Sequence, residues 1–490
     1  MDAQSSARLP AGPALRSFEL FAIVLGASAM GYLIYDHIAH HAIANIGEHG
    51  APPRIWSVAP FAGLLLCIAL FPLIPATHHW WENNKNRLMV SLAFAAVTLL
   101  YYLVAYDAAK MGEVLEHALV VEYLPFIVLL FALFVISGGI SLRGDLAAHP
   151  ATNTAYLAVG GLLASFIGTT GASMLLIRPL LQTNRERKHV VHTVIFFIFI
   201  VSNIGGSLLP IGDPPLFLGY LMGVPFLWTL GLWKEWAFMC VLLLIVYYVW
   251  DHFAYKHETP RDIARDETQI QRLSLRGKLN FLLLGGVVLC VAMVKPEQEF
   301  LGLGFEPFPF MRELLILGLV ALSLWFTPKV VRQDNQFNYS AILEVAALFV
   351  GIFITMQAPI EILNASGEAL RPYLSSPHAF YWATGALSSF LDNAPTYVVF
   401  FETAETMTPL DYPEALLLAD GGTIRTTWLT AISLGAVFMG SMTYIGNGPN
   451  FMVKSIAEQS GIKMPSFFGY MIYSVAILIP AFIVMTFLFL

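Results

Sequence analysis

Long apolar runs separated by short polar stretches make up most of this chain. Runs at 17–35, 55–76, 88–105, 118–140, 236–253, 277–294, 312–327, 340–360 and 466–490 each have about the length and apolarity of a membrane-crossing helix. Two others, 191–222 and 424–453, are too long for one straight span, while 155–181 and 379–404 are broken near their middles by Gly, Thr, Asn, Asp and Pro. The breaks in the two longest runs are near copies, Gly206-Ser-Leu-Leu-Pro-Ile-Gly-Asp-Pro-Pro-Leu-Phe217 and Gly440-Ser-Met-Thr-Tyr-Ile-Gly-Asn-Gly-Pro-Asn-Phe451, identical at six of twelve positions and 234 residues apart. Repeated breaks in corresponding places of two halves point to the ion or substrate site of a secondary transporter.

The pattern predicts an all-α polytopic membrane protein with about 11 transmembrane helices plus two re-entrant hairpins. Composition agrees: 57% of residues are hydrophobic, 12% are charged and mean hydropathy is +0.68. The net charge of −7 lies in loops and includes no basic tract, so no nucleic-acid partner is expected; the partners are small ions and membrane lipid. Cys67, Cys240 and Cys290 stand singly without any CxxC or metal spacing. Arg8 and Arg16 before an apolar run containing Ala27-Ser28-Ala29 have some likeness to a secretory signal, and a first helix explains them equally well.

With a cytoplasmic N-terminus and the two hairpins returning to their own side, the basic clusters fall together. They are Lys85/Arg87, Arg185/Arg187/Lys188, the linker with Lys256, Arg261, Arg265, Arg272 and Arg276, then Lys329/Arg332 and Lys454/Lys463. The loops around Asp107–Glu116, Glu297–Glu306, Glu361–Glu368 and Glu402–Asp420 fall opposite, which is the positive-inside pattern with the C-terminus outside. A bacterial inner membrane is the expected location.

The same count inverts the two halves. Their hairpin tips match, Ser165-Phe-Ile-Gly-Thr-Thr-Gly-Ala against Ser389-Phe-Leu-Asp-Asn-Ala-Pro-Thr, and Glu122 and Glu344 are expected at the starts of corresponding helices. The division is 1–112 as N-terminal scaffold helices and 113–254 as the first inverted repeat, with hairpin 155–181 and interrupted helix 191–222. A solvated cytoplasmic linker and scaffold helices follow over 255–334. The second repeat is 335–490, with hairpin 379–404 and interrupted helix 424–453.

Unwound backbone at membrane depth survives only where protein or a watery cavity satisfies it, so four such points imply a polar centre. A carboxylate there is costly and reads as functional, which singles out Asp213 and Asp392. Their pseudo-symmetry partners are Asn447 and Gly168. Asn203, Asn393, Asn447, Asn450, Ser207, Ser441, Thr169, Thr170 and Thr396 supply further oxygens, a hard-donor set of the kind small cations favour. Asp213, Asp392, Asn393 and Asn447 are the expected sodium ligands. Ser and Thr in such helices also back-bond to their own turn, and Asp-Pro also suits a helix cap. Arg178 reads either as a fixed countercharge or as a residue snorkelling to the cytoplasmic face. Asp36-His37-x-x-His40-His41 with His49 matches no zinc-finger or zincin spacing, and His78-His79-Trp80-Trp81 reads as an interfacial anchor.

Over roughly residues 55–490, SNIGGSLLPIGDPP at 202–215, SFLDNAPT at 389–396 and YIGNGPN at 444–450 resemble the ion transporter superfamily. Within it the chain is similar to NhaD-type sodium/proton antiporters and the citrate-transporter-like domain. The resemblance implies a homodimer, a hairpin-bearing transport domain moving elevator fashion against a scaffold, and a cation site at the hairpin tips. The chain departs from those antiporters in lacking an acid at the first tip, Gly168-Thr169-Thr170-Gly171. It departs from the dicarboxylate symporters in lacking Ser-Asn-Thr at either tip.

The expected function is exchange of sodium or lithium for protons, coupled by a carboxylate that holds one ion or the other. The alternative is sodium-coupled symport of a small anion such as a dicarboxylate or citrate, held at half-helix N-termini. No nucleophile with its base, HExxH helix or phosphate loop is present, so no enzyme and no cofactor is expected beyond transported Na+ and H+.

Overall fold

The computed structural model describes residues 52–268, 270–294, 307–308, 310–366, 372–413, 415–419 and 421–490. The expected first span, the Asp36–His49 histidines and the loop 297–306 lie outside the described residues.

Helices dominate, as the hydrophobic pattern predicts. Among the described residues, five are long and apolar enough to cross a bilayer: Asn84–Ala105, Ala108–Ser137, Trp228–Lys256, Ser340–Ala365 and Phe467–Phe489. The run expected at 55–76 bends by 99° between Ile55–Leu70 and Pro75–Trp81. Pro75 opens the second piece, where its fixed φ suits a first turn and its missing N–H costs nothing. Leu279–Met293 and Met311–Phe326 are shorter apolar helices. The starts are punctuated as helix chemistry requires: the side chains of Asn83, Asp107, Ser376 and Ser466 each accept a first-turn backbone N–H.

The outer helices leave apolar side chains bare. Trp233, Val241, Ile245, Val249 and Phe253 are exposed along Trp228–Lys256, and Phe468, Ile472, Val475 and Phe487 along Phe467–Phe489. Such faces suit a lipid solvent. Val191–Ile200 and Thr426–Met439 are buried on nearly every side. A helix apolar all round belongs inside, and these two lead into the repeated breaks.

Two compact units make up the fold. One takes the described residues up to Tyr123 together with Leu343–Ile362. Tyr101, Tyr102, Val114 and Ala358 form a small core there, and Arg87 pairs with Glu344 at 2.9 Å. Glu344 lies in the first turns of its helix, but Glu122 does not start one. It falls mid-span in the π-helical stretch His117–Tyr123, where the Gln357 side-chain amide donates to it at 2.6 Å.

The other unit holds Leu124–Ile342 and Leu363–Leu490, hence both hairpins and both interrupted helices. The first hairpin is Pro150–Ile167 and Thr169–Thr183 joined by Gly168 alone. Gly168 has φ +78°, a conformation that a side chain would strain. The second hairpin is Pro377–Ser388 and Asn393–Thr406.

Small sheet elements were not anticipated, nor was secondary structure in the linker, which is exposed along most of its length as expected. Ser141–Asp145 pairs antiparallel with Gln271–Arg276, and Ala415–Leu417 with Thr423–Arg425. The stretch expected as a solvated linker forms a helix, Pro260–Thr268, and one of these strands. Two of its acids are anchored. Glu258 accepts from the backbone N–H of Lys188 and His189, and Asp266 from that of Ala148.

Candidate functional site

The two interrupted helices unwind at the same positions. After Val191–Ile200 the chain makes two short 3-10 turns, Ile204–Ser207 and Pro210–Gly212, before Pro214–Leu221 begins. After Thr426–Met439 it makes one, Gly440–Met442, before Gly448–Gln459. Asp213 and Asn447 each precede the second half-helix with extended backbone, at φ −145°, ψ 144° and φ −156°, ψ 141°.

Glycine contacts explain why both breaks keep the same residues. A Cβ on Gly212 would run into the carbonyl oxygen of Gly206, and one on Gly446 into that of Gly440. The hairpin tips dock on the breaks in matching fashion. Ser165 Oγ donates to the Gly205 carbonyl at 2.5 Å, and Ser389 Oγ to the Met439 carbonyl at 3.3 Å.

These contacts bring four segments together at Asp213, whose side chain is 1% exposed. Thr169, the first residue after the first hairpin's turn, donates its hydroxyl to Asp213 Oδ1 at 2.8 Å. Asn447, the counterpart of Asp213 in the other break, donates to the same oxygen at 3.0 Å. Asn393, the counterpart of Thr169 in the second hairpin, donates to Oδ2 at 2.6 Å. One carboxylate is thus satisfied by three neutral donors from three other segments.

A directional amide chain extends from it. Asn450 Nδ2 donates to the carbonyls of Gly440 and Thr443, which fixes Asn450 Oδ1 as acceptor for Asn203 Nδ2 at 2.7 Å. Asn203 Oδ1 then accepts from Asn447 Nδ2 at 3.2 Å, and Asn447 donates on to Asp213. Carbonyl oxygens only accept, so the orientation of each amide follows from its neighbours. Asn393 Oδ1 is the loose end: with Nδ2 committed to Asp213, this buried oxygen has no hydrogen-bond partner among the described residues. An unpaired buried acceptor is costly and is rare without a purpose.

Asp392 sits apart from this cluster. Half-buried, it caps Asn393–Thr406 by accepting the Ala394 N–H at 3.2 Å. Thr396 bonds back to the Asp392 carbonyl, and Ser207 and Ser441 bond back to Ile204 and Phe438 in their own turns. Thr170 is half-buried. Arg178 reaches Gln336 at 3.2 Å and makes no contact with Asp213. Ser165 and Ser389, which anchor the tips, were absent from the sequence-derived set, although the matching Ser-Phe pair at each tip was the signal for them.

Two buried helices broken at equivalent residues, with a hydrogen-bonded carboxylate and amide cluster between them and lipid-suited helices outside, define a polytopic secondary transporter. Residues 51–490 match the family CitMHS_2, described as "Putative citrate transport", and the chain belongs to that family. No curated protein matches the chain.

Proposed function

We propose that the chain exchanges sodium or lithium for protons, with Asp213 as the carboxylate that holds one ion or the other. The observation that carries this reading is the unpartnered Oδ1 of Asn393 beside a carboxylate bonded only by neutral groups. Among the described residues, none of the hydrogen bonds to Asp213 comes from Lys or Arg, so no described fixed cation competes with a transported one. A half-turn of the Asn393 and Asn447 amides replaces N–H with oxygen, and with Thr169 and Asn203 yields the all-oxygen shell that a small hard cation prefers. A proton on Asp213 removes the charge that holds the metal, so the two ions exclude each other and their fluxes are coupled. Asp392, one residue before Asn393, adds negative charge near the site and draws the cation in.

The two halves act as inverted repeats in this account, and the hairpins and interrupted helices move together, elevator fashion, in a homodimer. The N-terminus is cytoplasmic, the C-terminus outside, and the membrane is a bacterial inner membrane. The positive-inside arrangement of the basic loops and the matching contacts of the two breaks support this.

The family description favours a second reading, sodium-coupled uptake of citrate or a similar anion, with sodium at the same carboxylate. Proteoliposomes with an imposed pH gradient decide between them when sodium, lithium, potassium and citrate are added in turn. Collapse of the gradient by sodium or lithium alone is the expected result. Citrate uptake that depends on sodium, without cation-driven proton movement, would overturn exchange in favour of symport.

A further inference from the structure

In the other compact unit, the elbow between Ile55–Leu70 and Asn84–Ala105 gathers two imidazoles and a carboxylate. His78 Nε2 lies 3.4 Å from Glu82 Oε1, and His79 Nδ1 lies 3.4 Å from Glu82 Oε2. One ligand atom from each of the three residues falls within 4.8 Å of the others. The edge of a tetrahedral zinc site is about 1.63 bond lengths, or about 3.3–3.6 Å for nitrogen and oxygen ligands, so each imidazole stands at edge distance from one of the two carboxylate oxygens, and drawing the three donors onto one ion needs only side-chain rotation.

A second observation concerns the other nitrogen of His78. Its Nδ1 stands 2.9 Å from the Pro72 carbonyl, which only accepts, so Nδ1 carries the proton. That leaves the Nε2 lone pair facing the Glu82 carboxylate, two electron-pair donors side by side that a shared cation would satisfy together. Donation from the far ring nitrogen to a backbone carbonyl is also how metal-binding histidines are oriented.

The elbow is held independently of any ion. Thr77 Oγ1 donates to the Phe71 carbonyl at 2.8 Å, Asn86 Nδ2 to the Trp80 carbonyl at 2.7 Å, and Phe71 meets Trp81 edge to face at 5.1 Å. The donors are open to solution, with side-chain exposures of 37% for His78, 89% for His79 and 59% for Glu82. We infer that His78, His79 and Glu82 bind one transition-metal dication of the zinc class, with water completing the shell. Imidazole donors favour such an ion over sodium, magnesium or calcium. The bound ion would tie the short helix Pro75–Trp81 to Glu82, the residue that ends it, and stiffen the elbow. This site is separate from Asp213 and does not depend on which ions that residue carries.

The test is a zinc titration, against a competing chromophoric chelator, of tag-free detergent-purified protein alongside Glu82→Gln and His79→Ala. Both substitutions are at exposed side chains, and their melting temperatures without zinc check the fold. The N-terminal histidines are common to all three proteins, so their binding cancels in the comparison. The parent is expected to hold one more tight zinc than either variant, or to hold it at least tenfold more tightly, and zinc should raise the melting temperature of the parent alone. Equal zinc binding by all three would reduce the cluster to an ordinary ion pair and overturn the inference.

Discussion

At Asp213, one carboxylate takes hydrogen bonds from Thr169, Asn393 and Asn447, and those residues lie on three segments distant in sequence. Asp213→Asn keeps the shape but turns an amide N–H toward groups that themselves donate, and it cannot exchange a proton for a metal. Flux in proteoliposomes should fall to background. Asp392→Asn should behave differently, because Asn caps a helix as well as Asp does. We expect it to transport with a raised KM for sodium and nearly unchanged stability, whereas Asp392→Ala should lose about 1 kcal/mol in thermal unfolding. If Asp392→Asn were as inactive as Asp213→Asn, the difference in role assigned to the two acids would be wrong. The candidate set was legible at this scale because polar residues in an apolar run are conspicuous. Which of them converge was not. Ser207, Ser441 and Thr396 look the same in sequence as Thr169, yet they satisfy their own turns.

Among the elements, the two interrupted helices owe their shape to glycine pairs rather than to their polar residues. The carbonyl of Gly206 or Gly440 occupies the space that a side chain on Gly212 or Gly446 would need. Gly212→Ala and Gly446→Ala should therefore reduce folded protein and lower the melting temperature sharply. Gly448→Ala, in the same break but with open space around it, should leave both nearly unchanged. Equal effects at Gly446 and Gly448 would mean that close backbone approach is not what fixes the break. The repeated Ile-Gly-Asp and Ile-Gly-Asn pieces announced these breaks from the sequence. The π-helical turn around Glu122 was not announced, since it depends on what packs against an otherwise regular apolar run, whereas the 99° bend had its signal in Pro72 and Pro75, which the hydrophobic pattern alone passes over.

Across the molecule, a buried charged knot holds the base of the first hairpin. Arg187 donates to both oxygens of Asp251, at 2.6 and 3.1 Å, while His192 Nε2 at 2.9 Å and Asn153 at 3.2 Å complete the shell of that carboxylate. Glu258 of the linker lies 3.7 Å from Arg187 Nε. The knot joins the hairpin, the first interrupted helix, the Trp228–Lys256 span and the linker. Breaking one partner leaves a charge buried alone, so Arg187→Gln should cost about 3–5 kcal/mol, and Asp251→Asn in the same chain should recover part of it. A double variant no more stable than Arg187→Gln would rule out that explanation. The all-α membrane architecture was readable from hydropathy alone. This knot was not, because Arg187 reads as one of a cluster of loop charges and Asp251 as a residue near the end of the run 236–253, and only the fold brings them together.

The most direct test of the central claim is proton release from purified, weakly buffered protein on addition of sodium. If Asp213 holds one ion or the other, the parent should acidify the solution in a saturable manner, Asp392→Asn should do so at higher sodium, and Asp213→Asn should release nothing. Saturable sodium-induced release from Asp213→Asn at the parent's concentration range would show that the exchange site lies elsewhere.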